Sequence, residues 1–179
     1  TIWRGPMASS ALSQLLNETL WDSLDYLVID MPPGTGDIQL TLSQQIPVTG
    51  AVVVTTPQDI ALLDAVKGIS MFERVSVPVL GIVENMSWFT PEELPNNKYY
   101  IFGNGGGARL AEELGLPLLG QIPLVQGVCE AGDEGTPVAL GENTLLAEYF
   151  SELADRVAKQ VALRNETLPE TKKVIVSKH

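Results

Sequence analysis

Short apolar runs alternate along the chain with segments of helical periodicity, and this alternation is typical of a parallel sheet covered by helices. The apolar runs predict strands at Tyr26–Asp30, Ala51–Thr55, Val79–Glu84 and Pro117–Gln121. Apolar positions at helical spacing predict helices at Ile38–Ile46, Ile60–Arg74, Gly105–Leu114 and Thr144–Leu163. The predicted fold class is therefore α/β, with a mostly parallel sheet and helices on both faces.

The apolar content of the chain indicates how many domains it can form. The 179 residues are 45% hydrophobic, which suffices for one buried core. We expect one domain over residues 1–163 and a weakly ordered tail over residues 164–179, where Pro169 and several lysines interrupt the pattern. Thr1–Met7 has the character of sequence from within a protein, so we expect the chain to be a piece of a longer polypeptide.

The charge balance narrows the classes of partner. The net charge is −11, whereas a surface for nucleic acid or for an anionic membrane needs a basic patch. No apolar run approaches the roughly 18 to 20 residues that span a bilayer. We therefore expect neither nucleic acid nor a membrane as a partner.

The few cysteines and histidines exclude several kinds of site. Cys129 is the only cysteine, which excludes an internal disulfide and a multi-thiolate metal site within one chain, and which favours a cytoplasmic, reducing location. A lone cysteine is usually a small buried apolar residue. The only histidine, His179, is terminal, so a Ser-His or Cys-His hydrolase mechanism lacks its base.

The stretch Asp25–Asp37 carries the strongest chemical signal. It is an apolar run that ends in Asp30 and continues into a turn rich in proline and glycine. In P-loop ATPases such a strand delivers a carboxylate to the Mg²⁺ side of the phosphates, and the glycines that follow let backbone N–H groups approach the terminal phosphate. Asp30, Gly34 and Gly36 fit these places. The partner motif G-x-x-x-x-G-K-S/T is absent from the chain.

Several motifs in register resemble the C-terminal portion of Mrp/Nbp35 (ApbC-like) ATPases, which are deviant P-loop proteins associated with iron–sulfur cluster carriage. The motifs are Trp3–Met7, Asp25–Asp37, Thr49–Asp59, Gly81–Ser87, Phe102–Gly107 and Leu119–Leu124. Each motif alone is weak, because Pro/Gly turns after strands are common, but the six together and in order are specific.

The resemblance implies a P-loop NTPase fold of the MinD/Mrp type, incomplete at its N-terminal side. It implies an ATPase that dimerises around two nucleotides and carries or transfers clusters to apo-proteins, with ATP and Mg as cofactors. Asp30 would accept hydrogen bonds from Mg²⁺-bound water, and Gly34 and Gly36 would belong to the switch that senses the terminal phosphate. Asn85 would contact the adenine edge and Pro123 would pack on the base.

The chain departs from this family in two places. The Walker A loop with its two lysines would lie upstream of Thr1. Many members also place a Cys-x-x-Cys pair shortly after the Asn-Met-Ser motif, but Trp88–Asn97 contains no cysteine, which places cluster binding by these residues in doubt. We therefore expect this chain alone to hydrolyse ATP negligibly.

Each candidate residue also has a simpler structural interpretation. Asp30 could cap a turn, and the glycines beyond it could serve a rigid turn. Asn85 and Pro123 could be ordinary loop residues. Phe102–Gly107 before a helix could bind phosphate, although it lacks the preceding strand and the Lys-Ser/Thr ending, so a flexible helix entry is favoured.

Two functional alternatives follow from the same features. The first is a non-catalytic interaction module that keeps the ATPase scaffold and dimerises, which the missing lysine loop and missing cysteine pair favour. The second is a positioning ATPase of the MinD/ParA type. The Pro-Pro-Gly-Thr-Gly form and the lack of a basic or amphipathic membrane-targeting helix make the second less favoured.

Overall fold

The computed structural model describes residues 5–31, 46–141 and 144–171. The elements in chain order are α1 (Gly5–Asn17), β1 (Ala51–Thr55), α2 (Asp59–Arg74), β2 (Val79–Phe89), α3 (Gly106–Leu114), β3 (Leu118–Leu124), α4 (Gln126–Glu134), a 3-10 helix (Val138–Leu140) and α5 (Leu145–Thr167). No helix in these ranges is long and apolar enough to cross a membrane.

The described strands form a three-stranded sheet in the order β1-β2-β3, and both pairs are parallel. Parallel neighbours require a crossover connection, which α2 supplies between β1 and β2 and α3 supplies between β2 and β3. The strands are rich in valine, leucine and isoleucine, as is typical of parallel sheets covered by helices, although Val52 and Val54 of β1 are exposed on one face. The predicted parallel α/β arrangement is confirmed.

One face of the sheet packs against α2 and α3. Val53 and Ile82 from the sheet meet side chains at helical spacing on both helices, and the contacting helix residues are Ala65, Ile69, Leu110 and Ala111. Ile82 has no exposed surface, so it marks the centre of this core layer. The stripe that predicted α2 from the sequence, namely Ile60, Leu63, Val66, Lys67 and Met71, is not the buried face. Only Met71 of this set is buried, and the buried positions of α2 are Ala65, Ile69 and Met71.

The other face packs against α5. Val83, Leu119 and Ile122 form the sheet side of this layer, and Tyr149, Phe150, Leu153 and Val157 of α5 pack on them. The helix begins where the side chain of Thr144 accepts a hydrogen bond from the backbone N–H of Ala147 at 3.1 Å, a standard N-cap. Helices therefore cover both faces, as predicted.

The boundaries of several predicted elements differ from the observed ones. Strand β2 continues to Phe89, β3 begins at Leu118 and continues to Leu124, and α5 continues to Thr167. Helices α1 and α4 were not predicted. In α4, Gly127 and Gly132 lower the intrinsic helix propensity, which explains why the pattern gave no signal there.

The predicted strand Tyr26–Asp30 is not formed, and this prediction was wrong for the described residues. Residues 26–30 are irregular and pair with none of the described strands. Val28 is 90% exposed, and Tyr26 and Leu27 are exposed as well. A strand that is apolar on both faces gains stability only from neighbours at its edges and from layers on its faces, and local propensity does not replace them. Most of the predicted helix Ile38–Ile46 lies outside the described residues.

Candidate functional site

The carboxyl ends of the three strands meet at one edge of the sheet, the position at which open α/β sheets bind ligands. The strand register aligns Thr55 of β1, Glu84 of β2 and Gln121 of β3 in one row across this edge. Thr55 and Glu84 are buried and Gln121 is half-buried. The sheet is therefore apolar through its centre and polar at its carboxyl edge.

Glu84 is the centre of this edge. Its side chain has no exposed surface. Oε2 accepts a hydrogen bond from the backbone N–H of Gly107 at 2.6 Å, and Oε1 accepts one from Nε2 of Gln121 at 2.8 Å. The backbone oxygen of Glu84 accepts a third hydrogen bond from the hydroxyl of Ser87 at 2.8 Å. One residue thus ties β2 to β3 and to the start of α3.

The glycines before α3 allow this close packing. A Cβ atom at Gly107 would lie 3.0 Å from Cβ of Glu84, and one at Gly106 would overlap the carbonyl oxygen of Pro57. Gly105 has a φ of 65°, in the left-handed region that glycine favours. The N-terminus of α3 thus already carries the carboxylate of Glu84, which compensates the positive end of the helix dipole. This arrangement disfavours the phosphate-binding alternative for Phe102–Gly107.

Asn85 and Pro123 lie inside strands, whereas the sequence placed both just beyond strand ends. Asn85 of β2 pairs in register with Ile122, the neighbour of Pro123. The register then shifts, so that residues 86–88 of β2 face Pro123 alone, and Met86 has a φ of 56°. Proline fits this position, because β3 is an edge strand of the described sheet and the bulge requires no N–H donor. The two predicted base-contacting residues are therefore adjacent across the strands.

The Asn85 amide has a defined orientation. Its Oδ1 accepts a hydrogen bond from the backbone N–H of Met86 at 3.0 Å, and the residue is half-buried. Pro123 is buried. The oxygen of the amide is thus fixed against the main chain, which leaves Nδ2 as the group that can donate to a ligand.

A threonine pair follows β1 at the same edge. The hydroxyl of Thr55 donates to the backbone oxygen of Thr56 at 3.1 Å, whereas Oγ1 of Thr56 is buried without a hydrogen-bond partner. Buried polar atoms normally have partners, and an exception at a ligand-binding edge requires an explanation. Neither Thr56 nor Glu84 was predicted from the sequence as a site residue, although Glu84 ends a predicted apolar strand just as Asp30 does.

The predicted metal and phosphate residues are not assembled into a site by the described residues. Asp30 is exposed in an irregular segment, and Gly34 and Gly36 lie outside the described residues. Within residues 5–31, 46–141 and 144–171, no group of three His, Cys, Asp or Glu side chains could hold a metal ion. The roles predicted for these three residues, and for Asn85 and Pro123, stay predictions.

The segment after β2, in which the family resemblance implied a cysteine pair that the sequence lacks, is closed by aromatic contacts. The backbones of Phe89 and Tyr99 exchange two hydrogen bonds of 2.8 Å. Nζ of Lys98 lies 3.8 Å from the ring centroid of Trp88, and the rings of Trp88 and Tyr149 of α5 form an edge-to-face pair with 6.0 Å between centroids. The Trp88–Tyr149 pair anchors the segment to α5, and Lys98 packs on the same tryptophan ring.

The cysteine that was expected to be buried is exposed. Cys129 lies on α4, which has no buried residue. The helix is short and rich in polar residues, and it packs against the 3-10 helix at the periphery of the fold. Without an apolar stripe of its own, α4 offers no buried position for the thiol.

Comparison with known proteins finds extensive similarity in sequence and in fold. A family model described as ParA, NUBPL iron-transfer P-loop NTPase, matches residues 1–158. The iron-sulfur cluster carrier protein of Haemophilus influenzae is 65% identical over 171 residues, which are 94% of this chain and 46% of that protein. The chain spans about half the length of the curated relatives it matches.

Two solved structures share the fold. A nucleotide-binding protein from Archaeoglobus fulgidus, in complex with ADP and with Co, superposes with a TM-score of 0.65 at 36% identity, over 73% of this chain and 53% of that one. The cell division ATPase MinD of Pyrococcus furiosus superposes with a TM-score of 0.62 at 22% identity, over 84% of this chain and 58% of that one. The predicted P-loop NTPase fold of the MinD/Mrp type is confirmed.

Proposed function

Because the chain belongs to the family of NUBPL iron-transfer P-loop NTPases, we propose that it forms the base-binding part of an ATP-dependent iron–sulfur cluster carrier. The identity of 65% to a carrier protein supports this function over the positioning-ATPase alternative, since the likeness to MinD is at 22% identity and concerns the fold alone. ATP is the proposed nucleotide, and apo iron–sulfur proteins are the proposed clients.

The observation that carries this proposal is the adjacency of Asn85 and Pro123 at the carboxyl edge of the sheet. An asparagine amide whose oxygen is held by the main chain can donate from Nδ2 to a ring nitrogen, and the second lone pair of Oδ1 can accept from an exocyclic amine. That donor and acceptor pair matches adenine, which presents N7 as an acceptor and N6 as a donor. Pro123 would support the base from the neighbouring strand.

Asp30, Gly34 and Gly36 are the proposed phosphate-side residues. The exposed carboxylate of Asp30 fits Mg²⁺, because magnesium keeps several waters and takes oxygen ligands. Bound to the nucleotide, Mg²⁺ would neutralise charge that develops on the phosphates. Asp30 would accept hydrogen bonds from the metal's water and so orient it, and the glycines would bring backbone N–H groups to the terminal phosphate.

The cluster is cargo in this proposal, and its ligands lie elsewhere than in Trp88–Asn97. That segment has no cysteine, and its ends are held by the Trp88–Lys98 and Phe89–Tyr99 contacts. We propose a homodimer, in which two copies would share the nucleotides or the cargo. A cytoplasmic location follows from the single cysteine and stays a prediction.

The second candidate function is a non-catalytic interaction module. It is favoured by the aromatic closure of the segment after β2, which replaces a cysteine pair by packing against α5. In this case the scaffold would bind nucleotide or a partner without turnover. The two candidates differ in whether hydrolysis depends on Asp30.

The test uses the full-length polypeptide that contains this chain, reconstituted with iron and sulfide without oxygen. We expect ATP binding and turnover, and we expect Asp30→Ala to lower turnover on the order of 10²-fold, because water and metal lose their orientation. Asp22→Ala is the matched control, since it removes another exposed carboxylate from the same irregular segment. This chain alone should hydrolyse ATP no faster than buffer does.

The outcomes separate the candidates. Turnover that depends on Asp30 but not on Asp22, together with a cluster absorbance, supports the carrier. ATP binding without turnover and without cluster supports the interaction module. Hydrolysis by this chain alone, or an Asp30→Ala variant with full turnover, would overturn the roles proposed for the phosphate-side residues.

A further inference from the structure

Glu84 is a buried carboxylate that the proposed mechanism leaves without a role. The ion pairs formed within the described residues are Lys67–Asp64 and Arg156–Glu152, and neither involves Glu84. Burying a carboxylate is unfavourable unless hydrogen bonds compensate it, and an apolar residue would fill the same volume without that cost. Its presence at the carboxyl edge therefore calls for a function beyond packing.

The hydrogen bonds of Glu84 connect three separate elements. Its two carboxylate oxygens reach Gly107, which is 23 residues away at the start of α3, and Gln121, which is 37 residues away on β3. The Ser87 hydroxyl, which is 1% exposed, closes a turn onto the Glu84 carbonyl. These bonds fix the backbone of β2 at Glu84 relative to β3 and to α3.

The next residue along β2 is Asn85, the proposed base contact. Because side chains alternate between the two faces of a strand, Glu84 lies on the face of α2 and α3, and Asn85 lies on the face of α5. On β3, Gln121 stands two residues before Pro123. The Glu84–Gln121 bond therefore fixes the spacing between the strand positions that carry Asn85 and Pro123.

We propose that Glu84 is a positioning residue for base recognition, which holds the amide of Asn85 in the orientation that accepts adenine and rejects guanine. Guanine presents acceptors at both N7 and O6, so its O6 would face the Asn85 oxygen where adenine presents N6 as a donor. That discrimination requires a fixed amide, and the Glu84 bonds to Gly107 and Gln121 supply the fixed backbone. This inference rests on the proposed nucleotide site.

The experiment measures the dissociation constants of ATP and GTP for the full-length polypeptide and its variants. We expect Glu84→Ala to lower the preference for ATP over GTP by about tenfold, because unfixed polar groups discriminate less between the two bases. Glu113→Gln is the control, since it changes an exposed glutamate of α3 and should leave the preference unchanged. Circular dichroism at the assay temperature establishes that each variant is folded.

A swapped pair of variants separates positioning from stability. Glu84→Gln keeps an acceptor for Gly107 but loses the charge-assisted bond, and the Gln121 amide must turn so that its oxygen accepts from the new Nε2, so the preference should fall partway. Adding Gln121→Glu reverses the donor and acceptor of that bond and should restore the preference. This pair also keeps the test decisive if Glu84→Ala does not fold.

The failures of the two proposals differ. A wild-type protein without nucleotide binding overturns the proposed function, and the inference falls with it. A wild-type protein that prefers ATP, with variants that lose affinity for both nucleotides equally, overturns only the role of Glu84. The positioning role of Glu84 is supported if Glu84→Gln lowers the preference for ATP and the added Gln121→Glu restores it.

Discussion

Two apolar runs of this chain end in a carboxylate, and they have opposite structural outcomes. Tyr26–Ile29 leads to Asp30, and Val79–Val83 leads to Glu84. The second run is the central strand of the described sheet, with Glu84 fully buried, whereas the first is irregular with Asp30 exposed. The patterns are alike, so the difference lies in the neighbours. Val79–Glu84 has a strand on each side and a helix layer on each face.

The largest expected difference is in hydrogen exchange of the two runs. In this chain the amides of residues 79–84 should exchange at least about 10³-fold more slowly than those of residues 26–30, because only the former are held in a ladder within a buried sheet. Exchange measured by mass spectrometry on peptides that cover each run checks this. Equal protection of the two runs would show that residues 26–30 have partners.

The same measurement on the full-length polypeptide sharpens the comparison. If residues 26–30 form the nucleotide-side strand that the family resemblance implies, their protection should rise toward that of residues 79–84 there. The rise should be confined to the first run, since the second already has its neighbours. Unchanged fast exchange of residues 26–30 would contradict the strand prediction in the longer protein as well.

The second expected difference is in the stability effect of removing each carboxylate. Glu84→Ala should lower the free energy of unfolding by about 3 kcal/mol, because it leaves the Gly107 N–H and the Gln121 amide buried without an acceptor. Asp30→Ala in the same chain should change it by less than about 0.5 kcal/mol, since Asp30 is exposed. Urea unfolding followed by circular dichroism measures both values.

The control for this pair is Glu113→Ala on α3, whose side chain is exposed and should behave like that of Asp30. A small effect of Glu84→Ala would mean that water replaces the lost acceptor at the edge. A large effect of Asp30→Ala would mean that its carboxylate already holds part of the fold.

These contrasts show which features of the fold could be predicted from the sequence. Short apolar runs predicted the described strands, and the periodic pattern predicted that α2, α3 and α5 exist. On α2 it pointed to the wrong face, because Ile60 and Leu63 are exposed while Ala65 and Ile69 are buried. Pattern alone gave the wrong result at residues 26–30, where the required partner is another segment. It also missed α4, whose glycines and lack of a buried face weaken the helical signal.

The candidate site was predictable to a similar degree. The motifs pointed to Asn85 and Pro123, whose roles stay predictions, and the strand register places the two positions next to each other. The sequence did not reveal that both lie within strands, because the bulge at residues 86–88 forms only against β3. The hydrogen bonds of Glu84 were hidden for the same reason, since its partners are 23 and 37 residues away along the chain.

The smallest expected effect concerns the end of β1. There the hydroxyl of Thr55 has a hydrogen-bond partner, whereas the buried hydroxyl of the adjacent Thr56 has none. Thr56→Val should raise the free energy of unfolding by about 1 kcal/mol, because the buried Oγ1 has no partner to lose. Thr55→Val should lower it by about 0.5 kcal/mol, because its hydroxyl donates to the Thr56 carbonyl. Urea unfolding of this chain without nucleotide measures both. If Thr56→Val instead destabilises the chain as Thr55→Val does, an ordered water accepts or donates a hydrogen bond at the Thr56 hydroxyl. The end of β1 then has no unsatisfied polar group left for a ligand.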